Sequence, residues 1–268
     1  MRGLSLDRET SPAYQKETEK ACERNSQKSL IPTKEDAFIK SLTAKYRHPA
    51  FVDEVGLGAI FAEHVACAVQ IFGNFRDDRV NDSKQMKHGE LYRVAEDLVN
   101  SRHPTSFLAY GLGVVEVGEL LELRNMHKAN RLAMCRAIEA LPVRPDAVFI
   151  DGKFTLPESG IETYSVIKGD AKVFGVAAAS VIAKNYRDHL IRQKYPQLHE
   201  KYDILNNVGY RSPRHLIGIR KYGITLYHRP WLKQIQQVLS GSYDEIILRK
   251  YSHIWNEYDF SKRRTELL

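Results

Sequence analysis

Phe51-Val52-Asp53-Glu54-Val55-Gly56-Leu57-Gly58 joins an apolar pair to two adjacent carboxylates and a glycine-flanked turn. Neighbouring side chains on a strand point to opposite faces, so Asp53 and Glu54 share a site only where the strand is ending. The glycines permit a sharp turn and let a ligand approach the backbone closely. The stretch reads as the lip of a cleft for divalent metal and phosphate. Taken alone it equally suits a solvated surface turn, because Asp-Glu pairs are common there. Further carboxylates have to decide.

Working outward, Val65 to Phe72 is apolar and β-prone, a second strand buried largely on both faces. Gly73 and Asn74 supply a turn, and Asn81-Asp82-Ser83-Lys84 precedes a helical segment ending near Asn100, with Asp82 or Ser83 as its cap. A helix start beside a lysine also receives phosphate, although capping alone would explain both residues. Phe107 to Val115 reads as a third strand. Asn125 to Leu141 repeats small apolar residues at helical spacing and packs one face on the sheet.

Pro142 and Pro145 end that helix, and Ala147-Val148-Phe149-Ile150 is a short buried strand terminating in Asp151-Gly152. A carboxylate at the carboxyl end of a central strand stands where open α/β sheets bind ligands. A further β-prone run, Thr163 to Ile167, leads into Lys168-Gly169-Asp170-Ala171-Lys172, and a small-residue helix follows from Gly175 to Lys184. Asp53, Glu54, Asp151 and Asp170 thus fall at strand ends or helix starts. Clustered carboxylates repel unless a cation neutralises them. Hard oxygen ligands suit two Mg²⁺ or Mn²⁺ ions, about 3.5–4 Å apart in a phosphodiester site.

The remaining features set bounds. A chain of 268 residues with 43% hydrophobic residues can bury one sizeable core plus extensions. Cys22, Cys67 and Cys135 have neither zinc-ligand spacing nor an even disulfide framework, as in a reducing compartment. No apolar run of membrane-spanning length or signal-peptide core is evident, so a soluble, cytoplasmic protein without membrane contact is expected. The net charge is +7, and Lys184 to Arg229 carries ten Lys or Arg against three acids, which accounts for the excess. Interleaved with Tyr202, Tyr210, Tyr222 and Tyr227, this stretch suggests a phosphate-backbone surface, or else a solvated helical face. Residues 1–48 read as a charged arm with a helix starting at Thr33. Residues 49–231 form the main domain, and 232–268 a helical tail whose apolar residues pack on a partner or on the domain itself.

In their order, Asp53-Glu54-Val55-Gly56-x-Gly58, Asp82-Ser83-Lys84, Ile150-Asp151-Gly152 and Lys168-Gly169-Asp170-Ala171-Lys172 resemble the motifs of type II ribonuclease H. Ala177-Ala178-Ala179-Ser180-Val181-Ile182-Ala183-Lys184-x-x-Arg187-Asp188 and Gly209-Tyr210 followed by His215 extend the likeness over roughly Ala50 to Trp231. The resemblance implies an α/β fold: a ribonuclease H-like mixed β-sheet flanked by helices, with a helical C-terminal portion. It implies metal-dependent endonuclease cleavage of the RNA strand of RNA–DNA hybrids, leaving 5′-phosphate and 3′-hydroxyl ends.

Carried over residue by residue, the resemblance makes Asp53, Glu54, Asp151 and Asp170 the catalytic and metal-binding acids. One metal would activate the water and the other would stabilise the leaving 3′ oxygen. Ser83, Lys84, Lys168, Lys184 and Arg187 would contact substrate, the basic residues by holding phosphates. Tyr210 and the backbone of Gly56, Leu57 and Gly58 would test for the 2′-hydroxyl. The plainer readings are that Lys184 and Arg187 cover the core with their stems and that Tyr210 simply packs. Asp188 reads as a structural helix acid. The family usually has arginine at Leu57, so the forked donors of a guanidinium are absent, and weak cleavage at single embedded ribonucleotides is expected. The segment Ala59 to His64 also departs from the family's glycine-proline turn. The partner is an RNA–DNA hybrid or RNA-containing duplex, bound by a monomer, with a protein partner reached through the arm or the tail. The alternative is a catalytically impaired nucleic-acid-binding or assembly protein on the same fold.

Overall fold

A computed structural model describes residues 41–255, apart from 81, 82, 84, 102 and 103. The helix start expected at Thr33, the candidate cap Asp82, the candidate phosphate contact Lys84, and Tyr258 lie outside the described residues.

Five strands form one mixed sheet: β1 (Pro49–Val55), β2 (His64–Phe72), β3 (Phe107–Val115), β4 (Ala147–Asp151) and β5 (Thr163–Val166). Their order is β3-β2-β1-β4-β5. β1 runs antiparallel to β2 and parallel to β4, so the carboxyl ends of β1, β4 and β5 share one edge of the sheet.

Period-two alternation decides what covers each face. Ala50 and Val52 of β1, with Ala66 and Ala68 of β2, face a cluster built on Ala133, Met134 and Ala137 of one helix, Met126–Glu139. Asn125 caps that helix, its side chain accepting from the amides of His127 and Lys128. Val65, Cys67 and Val69 of β2 face the opposite layer, made by helices His88–Asn100 and Phe174–Lys194. Cys67 is a buried free thiol, which agrees with its apolar surroundings in the sequence.

In chain order the helices are α1 (His88–Asn100), α2 (Val117–Leu123), α3 (Met126–Glu139), α4 (Phe174–Lys194), α5 (His199–Tyr202), α6 (Ile204–Asn207), α7 (Pro213–Tyr222), α8 (Lys233–Leu239) and α9 (Asp244–Trp255). Helix α1 starts at His88, not at Asp82 or Ser83, and Lys87 at its N-cap makes no side-chain cap bond. The capping reading of Ser83 is therefore corrected: that residue lies before the helix with its side chain buried.

A third cluster joins the C-terminal helices to the segment after β1. Ile60, Phe61 and Ala62 pack with Tyr202, Ile204 and Ile217, and with Ile235 and Val238 of α8. Tyr251 and Ile254 of α9 pack against the same cluster, so these tail residues cover the domain itself.

Candidate active site

The two motifs that supply Asp53 and Asp151 are neighbours because of strand register. Val52 pairs with Ile150 in the parallel ladder between β1 and β4, where the pairing ends, so Asp53 and Asp151 follow directly on adjacent strands. On the other side, pairing with β2 continues to Val55, which keeps Asp53 and Glu54 on a rigid strand rather than a fraying end. The Oδ1 of Asp151 accepts a hydrogen bond of 2.7 Å from the Gly169 amide, which brings the short turn containing Asp170 to the same edge. Asp53 and Asp170 are buried, at 4% and 7% exposure, and Glu54 is half-buried.

Burial holds the carboxyl of Asp53 well above the usual carboxylate range, and the negative charges of Glu54 and Asp151 push it further. A hydrogen bond from Ser180 and the Glu54 amide at 2.8 Å work in the opposite direction. Ser180 lies on α4, and its Oγ is 2.9 Å from the Oγ of Ser83. Ser83 thus reaches the acid site through Ser180, a residue that the sequence reading did not select. The signal available was a lone hydroxyl within the alanine-rich start of α4.

Mutually repelling carboxylates, one of them buried, are what a divalent cation would relieve. Among the described residues, no three His, Cys, Asp or Glu side chains are gathered tightly enough to enclose an ion unaided. Oxygen donors are the ligands that Mg²⁺ or Mn²⁺ take, with water and phosphate completing the coordination.

The basic residues divide sharply. Lys168 is exposed beside Asp170, with its backbone in the left-handed region at φ 57°. Lys184 is directed elsewhere: its ammonium lies 3.4 Å from Asp188, a fully buried helix acid that also accepts from the Tyr92 hydroxyl. Arg187 is fully buried and donates to the carbonyls of Phe61, Glu63 and Val208. The expected phosphate contact of Arg187 is therefore corrected, since a guanidinium enclosed by protein carbonyls cannot reach a duplex. Arg229, also buried, donates to the carbonyls of Gly56, Ala59, Ala62 and Glu63. Tyr202 is core as well, whereas Lys201, Arg211 and Arg214 remain exposed. The basic stretch is thus partly surface and partly internal scaffold.

A family model described as ribonuclease HII matches residues 50–238. The chain belongs to the ribonuclease HII family. The ribonuclease HII of Macrococcus caseolyticus is 39% identical over 191 residues, covering 70% of this chain and 67% of that protein. The crystal structure of ribonuclease H2 from Pyrococcus horikoshii OT3 aligns with a TM-score of 0.55 at 24% identity, covering 76% of this chain and all of that one. Bst-RNase HIII in complex with Mn²⁺ shares the fold at a TM-score of 0.51 and 18% identity, over 74% of this chain and 70% of that one. As a ribonuclease HII, this protein is an endonuclease that acts on RNA–DNA hybrids. The mixed sheet flanked by helices is the fold that the resemblance implied. Among the described residues, no helix is long and apolar enough to cross a membrane.

Proposed function

We propose that this ribonuclease HII cuts the RNA strand at the edge where β1, β4 and the turn after β5 meet, with Asp53, Glu54, Asp151 and Asp170 holding two divalent ions. The observation that carries this reading is the register-fixed adjacency of Asp53 and Asp151, with Asp170 tied in through the Gly169 amide. Mg²⁺ or Mn²⁺ bound there would supply an activated water and neutralise charge building on the leaving oxygen. The products would carry 5′-phosphate and 3′-hydroxyl ends.

The protein's own groups orient the strand. Exposed Lys168 attracts the phosphate next to the acids, and exposed Arg211 and Arg214 extend a basic surface for the duplex. Tyr210, half-buried, offers a ring to the sugar, and the turn Gly56-Leu57-Gly58 offers backbone amides to the 2′-hydroxyl. Ser83 and Ser180 steady Asp53 from behind.

The test is cleavage of two labelled duplexes, a long RNA–DNA hybrid and a DNA carrying one ribonucleotide, in Mg²⁺, in Mn²⁺ and in chelator. The expected result is metal-dependent cutting of the hybrid, with weaker cutting at the lone ribonucleotide. Hybrid bound but uncut in either metal, by folded protein, would replace this reading with a binding role.

A further inference from the structure

We propose that Arg187 is a positioning residue for ribose recognition, fixing the Gly56–Gly58 turn and the Tyr210 ring relative to each other so that both meet one sugar. The inference rests on the reading above that the turn and Tyr210 face the ribose.

The turn and the tyrosine come from distant parts of the chain, and Arg187 touches both. Its Nε donates to the Glu63 carbonyl at 2.9 Å and its Nη2 to that of Phe61 at 3.0 Å, on the segment leaving the turn. Its Nη1 donates to the Val208 carbonyl at 2.9 Å, on the segment entering Tyr210. The guanidinium carbon lies 5.4 Å from the centroid of the Tyr210 ring, within cation–π range. On the turn itself the fit is close: a Cβ added to Gly56 would stand 2.5 Å from the Arg187 Nε. A backbone bond from the Ile60 amide to the Gly209 carbonyl, 3.0 Å, runs alongside.

Arg187 contributes geometry more than stability. Burying a cation that is hydrogen-bonded to carbonyls rather than to a carboxylate is a poor route to stability. A rigid planar fork, however, sets the angle between two chain segments as no flexible ammonium can. Val208 is held at φ 42°, a left-handed conformation unfavourable for a β-branched residue. Such strain persists where the surroundings over-determine it, and here it lies two residues before the tyrosine.

The test measures the affinity of the full chain for an RNA–DNA hybrid and for a DNA duplex of the same sequence, in Mg²⁺, with Asp151→Asn as background to prevent cutting. Arg187→Lys should lower the hybrid-over-DNA affinity ratio about fivefold, the scale of one misaligned hydrogen bond. The salt dependence of hybrid binding should not change. Asn207→Ala should do the same from the other side, because the Asn207 Oδ1 holds the Gly209 amide at 2.9 Å; it also serves if Arg187→Lys fails to fold. An unchanged ratio in folded variants overturns the proposal. Equal weakening on both duplexes, with the salt slope reduced by about one phosphate contact, would restore the phosphate role. If the parent protein itself has no preference for hybrid, the underlying reading of the turn and Tyr210 fails instead.

Discussion

The Nε2 atoms of His215 and His228 face each other at 3.1 Å in a fully buried joint behind Tyr210. The surrounding partners fix both tautomers. His215 Nδ1 donates to the Tyr210 carbonyl at 2.8 Å, so its Nε2 must accept from His228. His228 Nδ1 then accepts from the Thr225 amide at 2.9 Å. Every ring nitrogen is used, and neither ring has room for a second proton.

This joint makes stability depend on pH. Burial lowers His215 to about 4, and burial with the neighbouring imidazole lowers His228 to about 3. An unfolded histidine titrates near 6.5, so between that value and about 4 the unfolded chain binds protons that the folded one refuses. Stability is therefore full above pH 6.5 and falls as pH drops, by about 1.4 kcal/mol per pH unit for each histidine. Chemical denaturation should show stability falling as pH drops from 6.5 to 5, with buried His64, also lowered to about 4, adding to the pair, and His228→Gln should reduce the fall by up to one proton. A flat profile in the parent protein would contradict the assignment.

Asp151→Asn separates chemistry from architecture. An asparagine Oδ1 still accepts from the Gly169 amide, so the turn carrying Asp170 keeps its place. The lost negative charge should lower kcat by roughly 10² to 10³ or more, the scale of removing one preorganised electrostatic group. Thermal unfolding and hybrid binding should be close to those of the parent protein. Near-normal turnover would remove Asp151 from the metal site.

Gly56 and Gly58 should respond differently to alanine. Gly56 lies at φ +94° against Arg187, so the fold itself demands glycine there. A Cβ at Gly58 would meet nothing within 4 Å, so the fold does not demand it. Gly58→Ala should leave the unfolding temperature unchanged and lower kcat/KM on hybrid about tenfold, as a methyl intruding on a packed contact does. Full activity in that variant would put the substrate elsewhere than on this turn.

Leu57→Arg restores forked donors to a half-buried position between those glycines. Cleavage at a lone ribonucleotide depends on recognising one ribose, whereas a long hybrid offers many registers. The substitution should raise kcat/KM about tenfold on the former, the worth of one charge-assisted hydrogen bond, and little on the latter. Equal gains on both substrates would contradict the role given to the turn.

The five strands were legible in sequence because each is a short run whose local pattern decides its state. Val65 to Phe72 and Phe107 to Val115 appear almost as read. The acids stood out in sequence because each falls on or just after a β-prone run, near a glycine, and their number suggested a cation. What sequence left open was decided by contacts distant along the chain. Arg187 and Arg229 look like any other members of a basic run, and only the tertiary fold encloses them among the carbonyls of residues 56–63 and 208. Ser83 resembles a helix cap until α1 is found to begin at His88 and Ser180 is found opposite its hydroxyl. Local sequence sets propensity and charge, whereas burial is a property of the assembled domain. Which cations and hydroxyls are exposed and which hold the backbone could therefore be decided only by the tertiary structure.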